Sequence, residues 1–309
     1  DSRIYLVRRS GVHQLTEDHS LVNELIKRGR LKPGDVFDSP YKNAVTRAVG
    51  VYEHVEVDAF DIDVLPDDGF LLCSDGLSCY LDDELTRRHM LVEDVKLIPD
   101  ELIRLANDCG GKDNITAIVV RIGAGDGAVP GDRVTMVQRK TNAIQAQPLF
   151  RYLAYSEIVK ILNLSRRQTY EPGQVLYSEG DRVGVMHVVL SGRLSVNSSG
   201  RHLMDLGEDA LLGESVLVED APRTVTVTAA EQTEVLVLGR EALHGLISNQ
   251  SKLAWKLLWS LNQQQAMRLR TAGQELAHAT GTIVSLSAAA GVPVELPAFD
   301  PQVHVVPGG

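Results

Sequence analysis

Cysteine is scarce in this sequence, and so are aromatic residues, long apolar runs and positive charge. The three cysteines, Cys73, Cys79 and Cys109, lack the spacing of a disulfide framework or a metal site. We interpret them as small core residues of a protein from a reducing cytoplasm. No apolar run approaches membrane-spanning length and no signal peptide is evident, so we expect no membrane partner. The net charge of −10 argues against a nucleic-acid partner.

The composition is that of a folded protein with more than one domain. Of 309 residues, 44% are hydrophobic and 23% are charged, which is typical of globular chains long enough for two cores. The first residue is Asp1 rather than methionine, so we expect a fragment or a processed chain.

The first block, residues 1–122, alternates strand and helix patterns. Apolar or alternating runs predict strands, and apolar residues at helical spacing predict helices. The predicted strands are residues 3–8, 55–64, 70–73 and 115–122. One predicted helix starts after Ser20, and two more span residues 81–89 and 100–107. This pattern favours an α/β arrangement.

Two acids in this block lie at predicted strand ends. Asp75 follows a buried strand, and Asp113 precedes another strand. Carboxylates in such positions can meet across neighbouring strands and gather Mg²⁺ or Mn²⁺. The alternative interpretation is two ordinary turn residues, and the spacing by itself favours it.

Five segments of the block occur in the order found in metal-dependent type 2C protein serine/threonine phosphatases, namely 1–6, 15–20, 46–48, 72–78 and 112–116. The block resembles that family. The resemblance implies that Asp75 and Asp113 are ligands of a two-metal centre holding Mg²⁺ or Mn²⁺, and that Asp1 helps to hold a third ion. It also implies that residues 29–49 form the flap beside the active site. Such enzymes attack phosphoserine or phosphothreonine with a metal-bound water.

The resemblance begins in the middle of that family. The phosphate-gripping arginine, the Asn-Glu-Asp motif and the Asp-Gly-Met-Gly-Gly motif of its first half do not occur in this sequence. We therefore expect residues 1–122 to be the C-terminal half of a phosphatase domain. We also expect the chain as given to lack phosphatase activity, whereas a complete parent would be a hydrolase.

A linker is predicted at residues 123–147, because its start is rich in glycine and its remainder lacks a stable period. A second domain follows at 148–275. Its short strands and glycine-containing turns predict an antiparallel jelly roll. A helix at 241–270 carries Trp255 and Trp259 on one face. That face is interpreted as packing on the roll, as a lid over a base, or as a homodimer contact.

The segment 211–225 carries the strongest binding signal in the sequence. Gly213 permits close backbone approach to a ligand, and the amides of a short turn starting at Glu214 suit an anion. Arg223 presents a permanently charged fork that suits phosphate. Glu214 can accept a sugar hydroxyl, and Thr224 can donate and accept. Together these residues would recognise a sugar joined to a phosphate.

This segment and three preceding ones, 170–176, 178–181 and 189–194, resemble the cyclic-nucleotide-binding domain. The resemblance implies that Glu214 holds the ribose 2′-hydroxyl and that Arg223 holds the cyclic phosphate. It also implies that the amides of Ser215 and Val216 complete the phosphate cradle. Thr224 would then lie near the purine of cyclic AMP or cyclic GMP. The sequence departs from the family at Leu212, usually an aromatic residue. It also departs at Val216 and Val225, which are usually small.

The predicted architecture is α+β, with a partial type 2C phosphatase α/β sandwich followed by a cyclic-nucleotide-binding β-roll with flanking helices. Residues 276–309 are expected to be a low-complexity tail. The expected function is that of a bacterial cytoplasmic phosphatase acting on a phosphoprotein and regulated by cyclic nucleotide, with the 241–270 helix as a candidate homodimer contact. The alternative is a non-catalytic cyclic-nucleotide sensor or scaffold with a phosphatase remnant.

Overall fold

The computed structural model describes residues 1–27, 40, 44–50, 53–55, 57–123, 131–248 and 250–290. The N-terminal part contains a four-stranded antiparallel sheet in the order β2-β1-β3-β4. Its strands are β1 (Arg3–Arg8), β2 (Gly11–Gln14), β3 (Gly69–Cys73) and β4 (Ala117–Arg121). Its helices are α1 (Leu21–Lys27), α2 (Asp75–Ser78), α3 (Asp83–Met90) and α4 (Ile98–Asp108).

One face of this sheet is covered by α2, α3 and α4. Tyr5 and Val7 of β1 and Leu71 and Cys73 of β3 point to that face, since side chains of a strand alternate. They pack against apolar residues of the helices, namely Leu77, Met90, Ile98, Leu102 and Ala106. This core holds the ends of β3 and β4 in place.

The opposite face of the sheet contacts helix α6 (Tyr155–Leu164) of the second domain. Leu6 and Leu15 form a buried cluster there with Tyr155 and Val159 of α6. The two predicted domains are therefore in direct contact through α6.

A buried ion pair lies at this contact. Arg8 Nη2 is 2.6 Å from Asp68 Oδ2, and the two side chains are 5% and 1% exposed. Arg8 Nη1 also donates to the hydroxyl of Tyr155 at 3.0 Å, and the His13 ring stacks on the Tyr155 ring at 4.0 Å between centroids. The aromatic and charged contacts fix α6 against β1 and β2.

Helix α5 (Gly131–Gln145) and α6 are followed by eight strands in two four-stranded sheets. One sheet has the order β10-β7-β12-β5 and the other β6-β11-β8-β9. The strands are β5 (Ser165–Tyr170), β6 (Val175–Tyr177), β7 (Val185–Ser191), β8 (Leu194–Ser198), β9 (Arg201–Leu206), β10 (Leu211–Leu212), β11 (Thr226–Ala229) and β12 (Thr233–Gly239). Inward residues of both sheets share one core, which includes Val189, Val196, Val227 and Val235. The predicted fold class, mixed helix and sheet with a β-roll, is confirmed.

Two helices follow the roll, α7 (Arg240–Ser248) and α8 (Ser251–Ala290). The chain divides into one compact unit of residues 1–257 and a second of residues 258–309. Among the described residues, none of the helices combines the length and the apolar character that a membrane span requires.

Several sequence predictions about local structure are wrong. Residues 57–64 form no strand: among the described residues no strand pairs with this acidic segment, which packs instead through Phe60 and Ile62. Part of the predicted linker 123–147 is helix α5, whose Ile144 is fully buried. The helix predicted at 241–270 is two helices, and α8 extends to Ala290, into the predicted tail 276–309. Residues 291–309, and most of the predicted flap at 29–49, lie outside the described residues.

Candidate functional site

The segment that connects β10 to β11 places an acid and an arginine in the interior of the roll. Gly213 has a φ of 81°, a left-handed conformation that favours glycine, and it starts a short 3₁₀ helix, Glu214–Leu217. Glu214 is 6% exposed and Arg223 is 9% exposed. The backbone of Arg223 is fixed from both sides, since its amide donates to the Asp181 carbonyl and its carbonyl accepts from the Gly180 amide. The predicted pair of Glu214 and Arg223 is thus buried in one short loop.

The Arg223 guanidinium is held by backbone carbonyls and by an aromatic ring. Nη2 donates to the carbonyl oxygen of Val183 at 2.9 Å and to that of Val185. The guanidinium carbon lies 4.5 Å from the centroid of the Tyr177 ring, within the range of a cation–π contact. These contacts engage one edge and one face of the guanidinium.

One donor of the guanidinium is unsatisfied. Arg223 Nε is buried and has no hydrogen-bond partner among the described residues. A Cβ atom at Gly213 would lie 2.5 Å from Nη1 and 2.9 Å from Nη2, so only glycine leaves room for the group. A buried cationic donor without an acceptor is unfavourable. An anionic oxygen would satisfy it, and the residues present therefore fit a phosphate ligand.

His187 is a second buried polar side chain in this region. Its ring centroid lies 6.0 Å from that of Tyr177, and its Nδ1 has no hydrogen-bond partner in the described chain. Burial, followed by the charges of Arg223 and Arg166, lowers the pKa of His187 to about 4. The imidazole is therefore neutral near pH 7, so the positive charge over the Tyr177 ring is that of Arg223. The sequence analysis singled out neither His187 nor Tyr177. The sequence feature that could have pointed to His187 is its position as a polar residue inside the apolar run of β7.

The other predicted nucleotide residues differ in their surroundings. Val216 is buried and its amide donates to the Gly213 carbonyl at 3.2 Å, so this amide is already engaged inside the turn. Ser215 is half-buried and Thr224 is exposed. Val225 packs against the core of the roll. The structure thus brings Gly213, Glu214 and Arg223 together and leaves Thr224 at the surface.

The predicted metal ligands lie at one end of the N-terminal sheet. Asp75 starts α2 after β3, and Asp113 lies in the loop before β4. These loops touch, because Ser74 Oγ donates to the Asn114 carbonyl at 3.2 Å and accepts from the Thr116 amide at 3.0 Å. Asp1 precedes β1 at the same end, since Arg3 pairs with Cys73.

The acids fit a cation only in part. Asp1 Oδ1 is buried and has no partner among the described residues. Asp75 Oδ1 and Asp113 Oδ1 instead accept from the next residue's amide, at 3.0 and 2.7 Å. In the described ranges no group of three or more His, Cys, Asp or Glu side chains has the geometry to hold a metal ion. These residues do not form a complete metal cage by themselves, and we assign no reaction step to them.

Comparison with known proteins supports both parts of this description. Residues 167–250 match the family described as cyclic nucleotide-binding domain. The N-terminal part is similar to bacterial serine/threonine phosphatases. Serine/threonine phosphatase stp of Listeria welshimeri is 42% identical over 125 residues, 39% of this chain and 48% of that protein. Protein phosphatase PhpP of Streptococcus pneumoniae is 39% identical over 128 residues, 41% of this chain and 52% of that protein.

Among solved structures, the Thermus thermophilus catabolite activator protein is 31% identical and has a TM-score of 0.39, covering 43% of this chain and 63% of that chain. The chain spans about half the length of the curated relatives it matches. Both resemblances found in the sequence are confirmed as similarities: the N-terminal part is similar to bacterial serine/threonine phosphatases, and residues 167–250 match the cyclic nucleotide-binding domain.

Proposed function

We propose that the roll binds cyclic AMP or cyclic GMP and that the bound nucleotide regulates a metal-dependent protein serine/threonine phosphatase. The observation that carries the proposal is the buried Arg223 Nε donor without a partner among the described residues, beside Gly213 and Glu214. In this assignment Arg223 binds the cyclic phosphate and Glu214 accepts from the ribose 2′-hydroxyl. Ser215 and Thr224 lie at the rim of the site.

The phosphatase role is proposed for a domain of which residues 1–122 form one part. The similarity to the Listeria and Streptococcus phosphatases supports hydrolysis of phosphoserine or phosphothreonine in a phosphoprotein, with Mg²⁺ or Mn²⁺ as cofactor. Asp1, Asp75 and Asp113 would contribute carboxylates to these ions. We expect residues 1–309 by themselves to hydrolyse no phosphoester.

Contacts inside the unit of residues 1–257 support a direct route between the two parts. His244 Nε2 on α7 donates to the carbonyl of Leu217, the last residue of the 3₁₀ helix that Glu214 begins, at 3.1 Å. On α8, Lys256 Nζ is 2.6 Å from Glu157 of α6, and Lys252 Nζ is 3.7 Å from Glu17 of the N-terminal part. Because α6 packs on β1 and β2, a shift of residues 211–225 would be transmitted through α7 and α6 rather than through a flexible linker.

Hydrogen–deuterium exchange of the full chain tests binding and coupling together. Saturating cyclic AMP or cyclic GMP should slow exchange in residues 211–225 and change exchange in β2 and α6. The variant Arg223→Ala should remove both effects. Protection of 211–225 with no change in β2 or α6 would contradict the coupling while leaving binding intact.

The second candidate function is a non-catalytic nucleotide sensor or scaffold. It is favoured by the carboxylates of the N-terminal part, since the described residues contain no group of three or more His, Cys, Asp or Glu side chains able to hold a metal ion. Hydrolysis of p-nitrophenyl phosphate with Mn²⁺ decides the point for this chain. Turnover by the wild-type chain that disappears in Asp75→Asn would overturn the scaffold assignment. Absence of turnover in both the wild-type chain and the variant would support the scaffold assignment.

A further inference from the structure

His187 is a polar residue on the interior face of β7. Its neighbours on the adjacent strands are apolar, namely Leu212 on β10 and Val237 on β12. The side chain is 2% exposed, and Nδ1 has no hydrogen-bond partner among the described residues. A buried polar atom that lacks a partner is unfavourable. The position of His187 therefore indicates a partner that the described part of the chain does not supply.

The same interior contains Arg223 Nε, which also has no partner among the described residues. The Tyr177 ring is close to both groups, since its centroid lies 4.5 Å from the guanidinium carbon and 6.0 Å from the centroid of the His187 ring. Two unsatisfied polar groups thus lie around one aromatic ring. A phosphate bound to Arg223 would bring a negative charge and several acceptor oxygens close to the imidazole.

The charge of the imidazole depends on the groups around it. Burial, followed by the charges of Arg223 and Arg166, lowers the pKa of His187 to about 4. Arg166 lies on β5, two strands from β7 in the same sheet. The other titratable groups of the site are the Tyr177 phenol and Glu214, whose charge acts on that phenol. A bound anion would offset the charge of Arg223, and its oxygens would accept from a protonated ring, so both effects favour the imidazolium.

We propose that His187 is a second contact of the phosphate site, and that its ring takes up a proton when an anionic phosphate binds at Arg223. The imidazolium has two N–H donors, so Nδ1 would donate to a phosphate oxygen. This role of His187 rests on the proposed function, because the cyclic nucleotide supplies the anion. The consequence is that the roll binds a cyclic nucleotide more tightly as the pH falls from 8 to 5.5.

Calorimetric titration of cyclic AMP and cyclic GMP into the full chain, in buffers of different ionisation enthalpy, counts the protons taken up. If the bound imidazole regains its ordinary pKa of about 6.5, uptake at pH 6 should be about 0.7 protons per nucleotide, and the affinity should be roughly 10-fold higher at pH 5.5 than at pH 8. His187→Phe should remove both effects. The matched control is His202→Gln, because His202 on β9 is exposed and its replacement should leave both effects unchanged.

The possible outcomes distinguish the role of His187 from nucleotide binding itself. Binding without proton uptake, or equal uptake by the wild type and His187→Phe, would overturn the role of His187 and leave the proposed binding intact. Absence of binding of both nucleotides at every pH would overturn both. Nuclear magnetic resonance of the ring nitrogens tests the wild-type chain without a substitution. At pH 6 the His187 ring should be neutral in the free protein and charged in the complex, and a ring that stays neutral would contradict the proposal.

Discussion

A single methyl group at Gly213 would test how the Arg223 guanidinium is held. The added Cβ would lie 2.5 Å from Nη1, 2.9 Å from Nη2 and 3.0 Å from the Val185 carbonyl oxygen. The guanidinium would have to move, and in moving it would leave its acceptors at Val183 and Val185. Gly213→Ala should therefore destabilise the roll even without ligand.

The magnitude follows from two separable effects. A left-handed φ in a residue with a Cβ costs roughly 1–2 kcal/mol, and a lost hydrogen bond from a charged donor costs about 1.5–3 kcal/mol. Gly213→Ala should thus cost about 3 kcal/mol or more. Gly173 is the matched control, since its φ is 84° and nothing lies within 4 Å of its Cβ position. Gly173→Ala should show only the conformational part, roughly 1–2 kcal/mol.

Native-state hydrogen exchange of amides in β7 and β12 measures the opening free energy of the roll. In an Arg223→Ala background the cost of Gly213→Ala should fall to that of Gly173→Ala, which corresponds to a coupling of about 2 kcal/mol between positions 213 and 223. Equal costs of the two glycine substitutions in the wild-type background would refute the steric argument.

Three further predictions concern buried groups. Burial lowers the pKa of His187 to about 4, so the unfolded chain binds a proton below about pH 6.5 that the folded chain does not. Stability should fall by about 3 kcal/mol between pH 6.5 and 4, and urea titrations should show this fall disappear in His187→Phe. Asp68→Ala leaves the buried Arg8 without its counter-ion and should lower the free energy of unfolding in urea by about 3–5 kcal/mol. The double variant Arg8→Met with Asp68→Leu should lower it far less. Similar losses in the two variants would contradict the pairing. Burial raises the pKa of Cys73 to about 11, so mass spectrometry after alkylation at pH 8 should find exposed Cys109 modified well before Cys73.

The strands with apolar runs were predictable from the sequence, because burial on at least one face requires those residues. The runs at residues 3–8 and 70–73 correspond to β1 and β3 within one residue. β5, with the polar sequence Ser165–Tyr170, was missed because its partner β12 rather than its own pattern makes it a strand. The acidic alternation at 55–64 has the period of a strand, but among the strands that the structure describes none pairs with this segment.

The candidate binding residues of segment 211–225 were predictable, whereas their immediate environment was not. Gly213, Glu214 and Arg223 lie close in sequence, and their chemistry suggests a phosphate site. Tyr177 and the Val183 and Val185 carbonyls are about 40 or more residues away from Arg223, and only the pairing of strands brings them to the guanidinium. The contact of α6 with the N-terminal sheet was likewise not predictable, because the sequence around Tyr155 does not indicate which residues it packs against.

Calorimetric titration of cyclic AMP and cyclic GMP into the full chain tests the central claim most directly. We predict micromolar binding of at least one nucleotide, weakened by at least about 100-fold in Arg223→Ala because the charged contact to the phosphate is lost. Gly173→Ala, at a distant turn, should bind like the wild type. Absence of heat with both nucleotides, or unchanged affinity in Arg223→Ala, would contradict the assignment of Arg223 as the phosphate ligand.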